Sequence, residues 1–194
     1  MATADKLPTI QFETQRAWEA WLDEHHANAP GAWLKIGKKG TTSPTISYAE
    51  ALEGALCYGW IDGQKAASDD SFWLQKFTPR RPKSVWSKVN REKALALVAA
   101  GRMRPAGQRQ IESARADGRW EAAYASQRTI TVPPDLQSAL DDNPEAAQFF
   151  ATLDSANRYA ILWRIQQAKK PETRSARIQT FIGMLSRHEK VHPS

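Results

Sequence analysis

Three kinds of side chain with chemical potential stand close together between Cys57 and Asn90. They are a lone carboxylate between an isoleucine and a glycine (Asp62), a basic Pro-rich turn (Thr78-Pro79-Arg80-Arg81-Pro82-Lys83-Ser84), and aromatics on either side (Trp60, Phe77, Trp86). A carboxylate beside Trp60, entering a half-buried strand, could have a raised pKa and act as a general base, with Arg80 or Arg81 stabilising negative charge. It could equally pair with Arg80 or Arg81 and hold the turn down. The two prolines forbid regular structure, so the turn is a stiff carrier of guanidinium groups, with Ser84 and Ser87 offering hydroxyls. Such a loop running into a helix start favours an anion. The ligand-binding candidates are therefore Trp60, Asp62, Phe77, Arg80, Arg81, Ser84, Trp86 and Ser87, with Trp86 either the floor of a pocket or a plug of core. Cys57 is the single cysteine. No histidine lies near it in sequence, and an apolar helix end suits a small buried hydrophobe better than a nucleophile. No spacing of His, Cys, Asp and Glu suggests a metal, and no Gly-rich phosphate loop or other cofactor motif is present.

The elements that must position these groups can be read from pattern. Ser47 and Glu50 form a capping box for a helix over 47–58, ended by Gly59. Two runs around Ser68-Asp69-Asp70 make a hairpin. In its second strand Phe72, Leu74 and Lys76 share one face and Trp73, Gln75 and Phe77 the other, so both faces are expected to be covered. Asn90 is expected to cap a helix whose Leu95 and Val98 face inward, and Gly63 to tolerate substitution poorly if its backbone is tight or at positive φ. Thr14 opens a helix carrying Trp18, Trp21 and Leu22; Ala32–Ile36 reads as a strand; Pro105 opens a helix that closes near Gly118. Thr129-Ile130-Thr131-Val132 reads as a short extended link stiffened by Pro133-Pro134, and beyond it every element is helical, with Asn143-Pro144-Glu145 and Lys170-Pro171-Glu172 as helix starts. The expected fold is α+β: a small antiparallel sheet of about three strands packed by helices, then an all-helical C-terminal segment. The expected domains are 1–128 and 129–194.

The spellings ALCYGWIDG, FTPRRPKSVWSKVN and GRMRPAG, with VPPDLQSAL and AKKPETRSARI further on, resemble the bacteriocin-protection, YdeI/OmpD-associated family across nearly the whole chain. Val85 and the uncharged Ala66-Ala67-Ser68 depart from its pattern. The resemblance implies a bacterial protein protecting against bacteriocins or envelope stress. It implies no reaction, cofactor or catalytic residue.

Composition sets the remaining bounds. At 41% hydrophobic and 25% charged residues, the 194-residue chain can bury a core. Eight tryptophans demand core or pocket-wall positions. No apolar run reaches the roughly 20 residues of a membrane span, and the start of the chain has no secretory pattern. With a single cysteine, these point to a reducing, cytoplasmic setting and no membrane partner. The charge is uneven. Lys76–Arg119 holds twelve Lys or Arg against three acids, a balance of +9, leaving −3 for the rest of a chain whose net charge is +6. Two partner classes fit: a small anionic ligand at the Pro-Arg-Arg-Pro turn, or nucleic acid along the basic 76–119 zone.

Overall fold

A computed structural model describes residues 7–125 and 129–192. Residues 126–128, where the sequence pattern puts the domain link, lie outside the described residues. The chain divides into two compact units, Met1–Trp86 with Asn90–Ala122, and Ser87–Val89 with Ala123–Ser194.

The first unit is α+β. Its elements are β1 (Thr9–Ile10), α1 (Gln15–His25), β2 (Ala32–Gly37), α2 (Tyr48–Cys57), β3 (Trp60–Ala67), β4 (Phe72–Pro79), α3 (Lys88–Ala99, whose first two residues cluster with the second unit) and α4 (Pro105–Ala116). The sheet has four strands in the order β1-β2-β4-β3, with β1 parallel to β2 and the other pairs antiparallel. The expected three-stranded antiparallel sheet is corrected to a mixed one. A two-residue strand is too short to show any alternation, so β1 left no trace in the sequence pattern.

Thr14 caps α1 by accepting from the Ala17 N–H at 3.2 Å. The capping box of α2 forms as read, Ser47 Oγ accepting from Glu50 N and the Glu50 carboxylate accepting from Ser47 N at 2.8 Å. Gly59 then adopts φ +75° and turns the chain into β3. The core lies between α1, α2 and one face of the sheet. Trp18 is fully buried, with its ring 5.9 Å from Phe77 and 6.3 Å edge-on to Trp60, and its indole N–H donates to the Ala51 carbonyl.

Residues of β2 alternate strictly between buried (Ala32, Leu34, Ile36) and half-buried (Trp33, Lys35, Gly37). The register places Phe77, Gln75 and Trp73 on the inner face with the buried set. Phe72, Leu74 and Lys76 join Trp33 and Lys35 on the outer face, where all five are half-buried. The expectation that both faces are covered is corrected: one face packs the core and the other faces solvent.

The Asp62-Gly63 pair is a turn signal in sequence, but in the fold it forms an irregularity within β3, where the register slips between Asp62 and Lys65. Gln75, fully buried, donates to the carbonyls of Gly63, Gln64 and Lys76, and so holds this break in the ladder.

Helix α3 starts at Lys88, so Asn90 sits in its first turn and is not its cap. Its buried residues are Ala94 and Leu97, while Leu95 and Val98 are each 42% exposed. The inward face is rotated by one residue from the expected one, which packing and not the cap position decides.

The second unit is all helix: α5 (Pro134–Asp141), α6 (Pro144–Thr152), α7 (Ser155–Gln166) and α8 (Pro171–Ser186). Asp154 caps α7 by accepting from Asn157 N at 2.7 Å. One core joins the four helices through Leu136, Phe150, Ile161, Ile165, Phe181 and Leu185, among others. The bidentate pair of Arg174 with Asp135 ties α8 to α5. No helix among the described residues is long and apolar enough to cross a membrane.

Candidate functional site

The Pro79–Ser87 turn is held from within. Arg80 is 6% exposed; its guanidinium lies 3.6 Å from the centroid of the Trp86 ring and donates to the Val85 carbonyl at 3.2 Å. Trp86 meets Trp120 edge-on at 4.8 Å, and Arg115 covers Trp120 at 5.3 Å. The result is a column of guanidinium, indole, indole and guanidinium: at each end a cation sits over an electron-rich face, and in the middle the two indoles meet edge to face. Ser84 Oγ accepts from Arg81 N, and the Ser84 carbonyl accepts from Arg119 Nη1 at 2.8 Å. Trp86 is therefore a core plug in this unit.

The eight sequence candidates do not converge on one point. Phe77 is fully buried against Trp18. Trp60 is 1% exposed and donates from its indole N–H to the His26 carbonyl. Asp62 accepts from the Tyr48 hydroxyl at 2.8 Å, so the tether read for it from sequence runs to a tyrosine on α2 and not to Arg80 or Arg81. Arg81 is exposed, and Ser87 forms a parallel bridge with Tyr124, both within the second unit. Lys88 N donates to the Tyr124 carbonyl, so the first N–H of α3 is used structurally.

Two of the eight, Trp60 and Arg80, do meet at an opening. A cleft of about 170 Å³ is lined by His26, Tyr58, Trp60, Arg80, Arg109 and Gln110, together with Ala27, Gly59, Pro79 and Ala106. No carboxylate lines it. It is built where the end of α2 meets the start of α4. Arg104 N donates to the Cys57 carbonyl, so the positive end of α4 faces the negative end of α2. Gly107 lets the two approach, since a Cβ there would fall on the Cys57 and Leu56 carbonyl oxygens. Gly59 is needed twice over, for its φ of +75° and because a Cβ would meet the Ala106 carbonyl at 2.9 Å. Sequence reading missed His26, Tyr58, Arg109 and Gln110. The available signal was the glycine inside α4, a mark of close backbone approach.

Cys57 beneath this junction is buried, and burial pushes its thiol up to about 11 against the opposing pull of Arg102 and Arg104. It stays a protonated, inert thiol. Tyr58, whose hydroxyl donates to Asp23 at 3.1 Å, is also pushed upward, by burial first and by that hydrogen bond second. It remains a neutral donor.

Residues 10–110, just over half of the chain, match a family described as a domain of unknown function, DUF8412. Residues 129–188 match the family described as bacteriocin-protection, YdeI or OmpD-associated. The chain belongs to the DUF8412 family and carries a YdeI/OmpD-associated domain. No curated protein and no solved structure matches it. The YdeI/OmpD-associated match does not reach the Cys57–Asn90 motifs; those fall within the DUF8412 span. Every residue lining the cleft, from His26 to Gln110, also lies in that span.

The YdeI/OmpD-associated domain has a larger opening of about 320 Å³, lined by Asp135, Ser138, Asp142, Arg174 and Ser175 among others. Its one guanidinium is neutralised by the Asp135 carboxylate, with Asp142 adding further negative charge. Size favours this opening, but charge favours the DUF8412 cleft as an anion site, and charge decides which ligand can enter. Arg174 also donates to the Ile165 carbonyl, and Arg177, one turn on, to that of Arg164.

Proposed function

We propose that the DUF8412 unit binds a small anionic ligand with an apolar or aromatic part, in a cytoplasmic bacteriocin-protection protein. The observation that carries this reading is the cleft between Trp60, Arg80 and Arg109, which has two guanidinium-bearing residues, His26 and an amide at its wall and no carboxylate. An anion there gains charge-assisted hydrogen bonds, and the aromatic wall suits an apolar body. Asp62, the candidate general base, is not among the lining residues, so the cleft favours the binding reading over one with Asp62 as base. The basic 76–119 zone gains less support as a nucleic-acid surface. Arg80 stacks on Trp86, Arg91 donates to the Trp120 carbonyl, Arg102 pairs with Glu19 and Glu53, and Arg119 pairs with Asp117.

The test is thermal unfolding in phosphate and in chloride at equal ionic strength. Phosphate should raise the wild-type midpoint beyond chloride, because a ligand that binds only the folded state stabilises it. Arg109→Ala, at an exposed position, should keep the chloride midpoint and lose the phosphate increment. Equal midpoints in both salts, in wild type and variant alike, would sink the reading.

A further inference from the structure

The outer face of the four-stranded sheet is used by neither the core nor the cleft. Register places Trp33, Lys35, Phe72, Leu74, Lys76 and Thr78 on it, all half-buried. The ring of Trp33 is covered by Lys76 Nζ at 5.8 Å and that of Phe72 by Lys35 Nζ at 4.9 Å, so its aromatics meet lysines of their own sheet. No outward position of β2 or β4 is a carboxylate. The nearest acid is Asp69 in the hairpin turn, 3.4 Å from Lys35. Trp33 and Phe72 lie about 14 Å apart, from strand rise and strand spacing.

We propose that this face binds single-stranded nucleic acid, with Trp33 and Phe72 stacking bases and Lys35 and Lys76 meeting phosphates. The chemistry favours this occupant over a protein. An apolar protein surface laid here would bury two ammonium groups, of which only Lys35 has a carboxylate, Asp69, beside it. A single strand offers a π-face to each ring and a phosphate to each lysine, and its unpaired bases can reach a flat sheet where those of a duplex cannot. To meet phosphates, Lys76 swings off the Trp33 ring, and Lys35 leaves both the Phe72 ring and the Asp69 carboxylate. This surface is separate from the cleft, and of its lysines only Lys76 belongs to the basic 76–119 zone.

The experiment measures fluorescence anisotropy of labelled oligothymidylate and oligouridylate of about 15 nucleotides with the full chain, and of a duplex of equal length. Single strands should bind at about 50 mM salt at least tenfold more tightly than duplex, and binding should fall steeply with salt. Trp33→Ala and Phe72→Ala should each weaken it about 5- to 100-fold, while Trp33→Phe, which keeps a stacking ring, should retain it. Lys76→Gln should lower the slope of log affinity against log salt by about 0.7. Arg109→Ala should bind as wild type, which separates this result from the cleft. If Trp33→Ala does not fold, Phe72→Ala and Lys76→Gln carry the test. Absence of single-strand binding at low salt, equal affinity for duplex, or unchanged binding in folded Phe72→Ala and Lys76→Gln would each overturn the proposal.

Discussion

Arg80 and Arg81 are adjacent and identical in sequence, yet the fold gives them opposite tasks. Arg80 is buried over Trp86 and bonded to the Val85 carbonyl, whereas Arg81 is exposed. Lysine cannot both stack its head flat on an indole and reach the carbonyl. Arg80→Lys is therefore expected to destabilise the protein by about 1–2 kcal/mol, while Arg81→Lys leaves the unfolding midpoint unchanged; chemical denaturation of both variants checks this. The glycines separate in the same way. Gly63 has ordinary room: a Cβ there would meet nothing nearer than 3.8 Å and its φ is not positive, so neither condition for poor tolerance of substitution is met and that expectation is corrected. Gly107 is the tight one. Gly107→Ala should cost more than about 2 kcal/mol, since backbone carbonyls of α2 must move, and Gly63→Ala should cost less than about 1 kcal/mol. Matching losses for the two would contradict this assignment.

At the scale of elements, the hairpin depends on Gln75 and the helical unit on Arg174. Gln75→Leu keeps the volume but leaves the carbonyls of Gly63 and Gln64 without their buried donor. A loss of about 1–3 kcal/mol is expected, with faster amide exchange confined to β3 and β4. In the helical unit, the hydrogen bond from Arg174 holds the Asp135 carboxyl below its ordinary range, against the upward effect of burial. A depressed carboxyl pKa stabilises the fold above the unfolded value of about 3.9 and loses that contribution as pH falls through the lower folded value. The side chains are 45% and 27% exposed, so solvent screening limits the pair to less than about 1 kcal/mol. Asp135→Asn should unfold slightly earlier than wild type at pH 7, and the two curves should converge as pH falls through the lowered folded value. A gap that persists in acid would mean the carboxylate is not its source.

For the whole molecule, we propose residues 129–194 as an independent domain. Every residue of its main hydrophobic cluster, from Leu136 to Leu185, comes from that range. A fragment of this size is near the lower limit for folding on one core. It is expected to show helical circular dichroism and one cooperative thermal transition. A broad, featureless melt would place the boundary elsewhere, with Ser87–Val89 and Ala123–Ala125 as the missing pieces.

Local signals were legible in the sequence because they act over a few residues. The capping box at Ser47, the αL glycine at 59, the proline starts of α4, α6 and α8, and the 3.6-residue stripe Ile178-Phe181-Ile182-Leu185 all depend on near neighbours, and each is where pattern places it. The α+β class follows from them. What required tertiary structure was every pairing across long sequence distance. Nothing local says that Asp62 meets Tyr48 and not Arg80, that Trp86 is sealed by Trp120, or that one face of the sheet stays open. The cleft is the clearest instance. His26 and Arg109 stand 83 positions apart in the sequence, and they share a wall only because Gly107 and Gly59 allow α4 to close on the end of α2. Periodicity reports which side of an element is apolar; which elements then meet is decided by packing, where shape and charge from the entire unit act together.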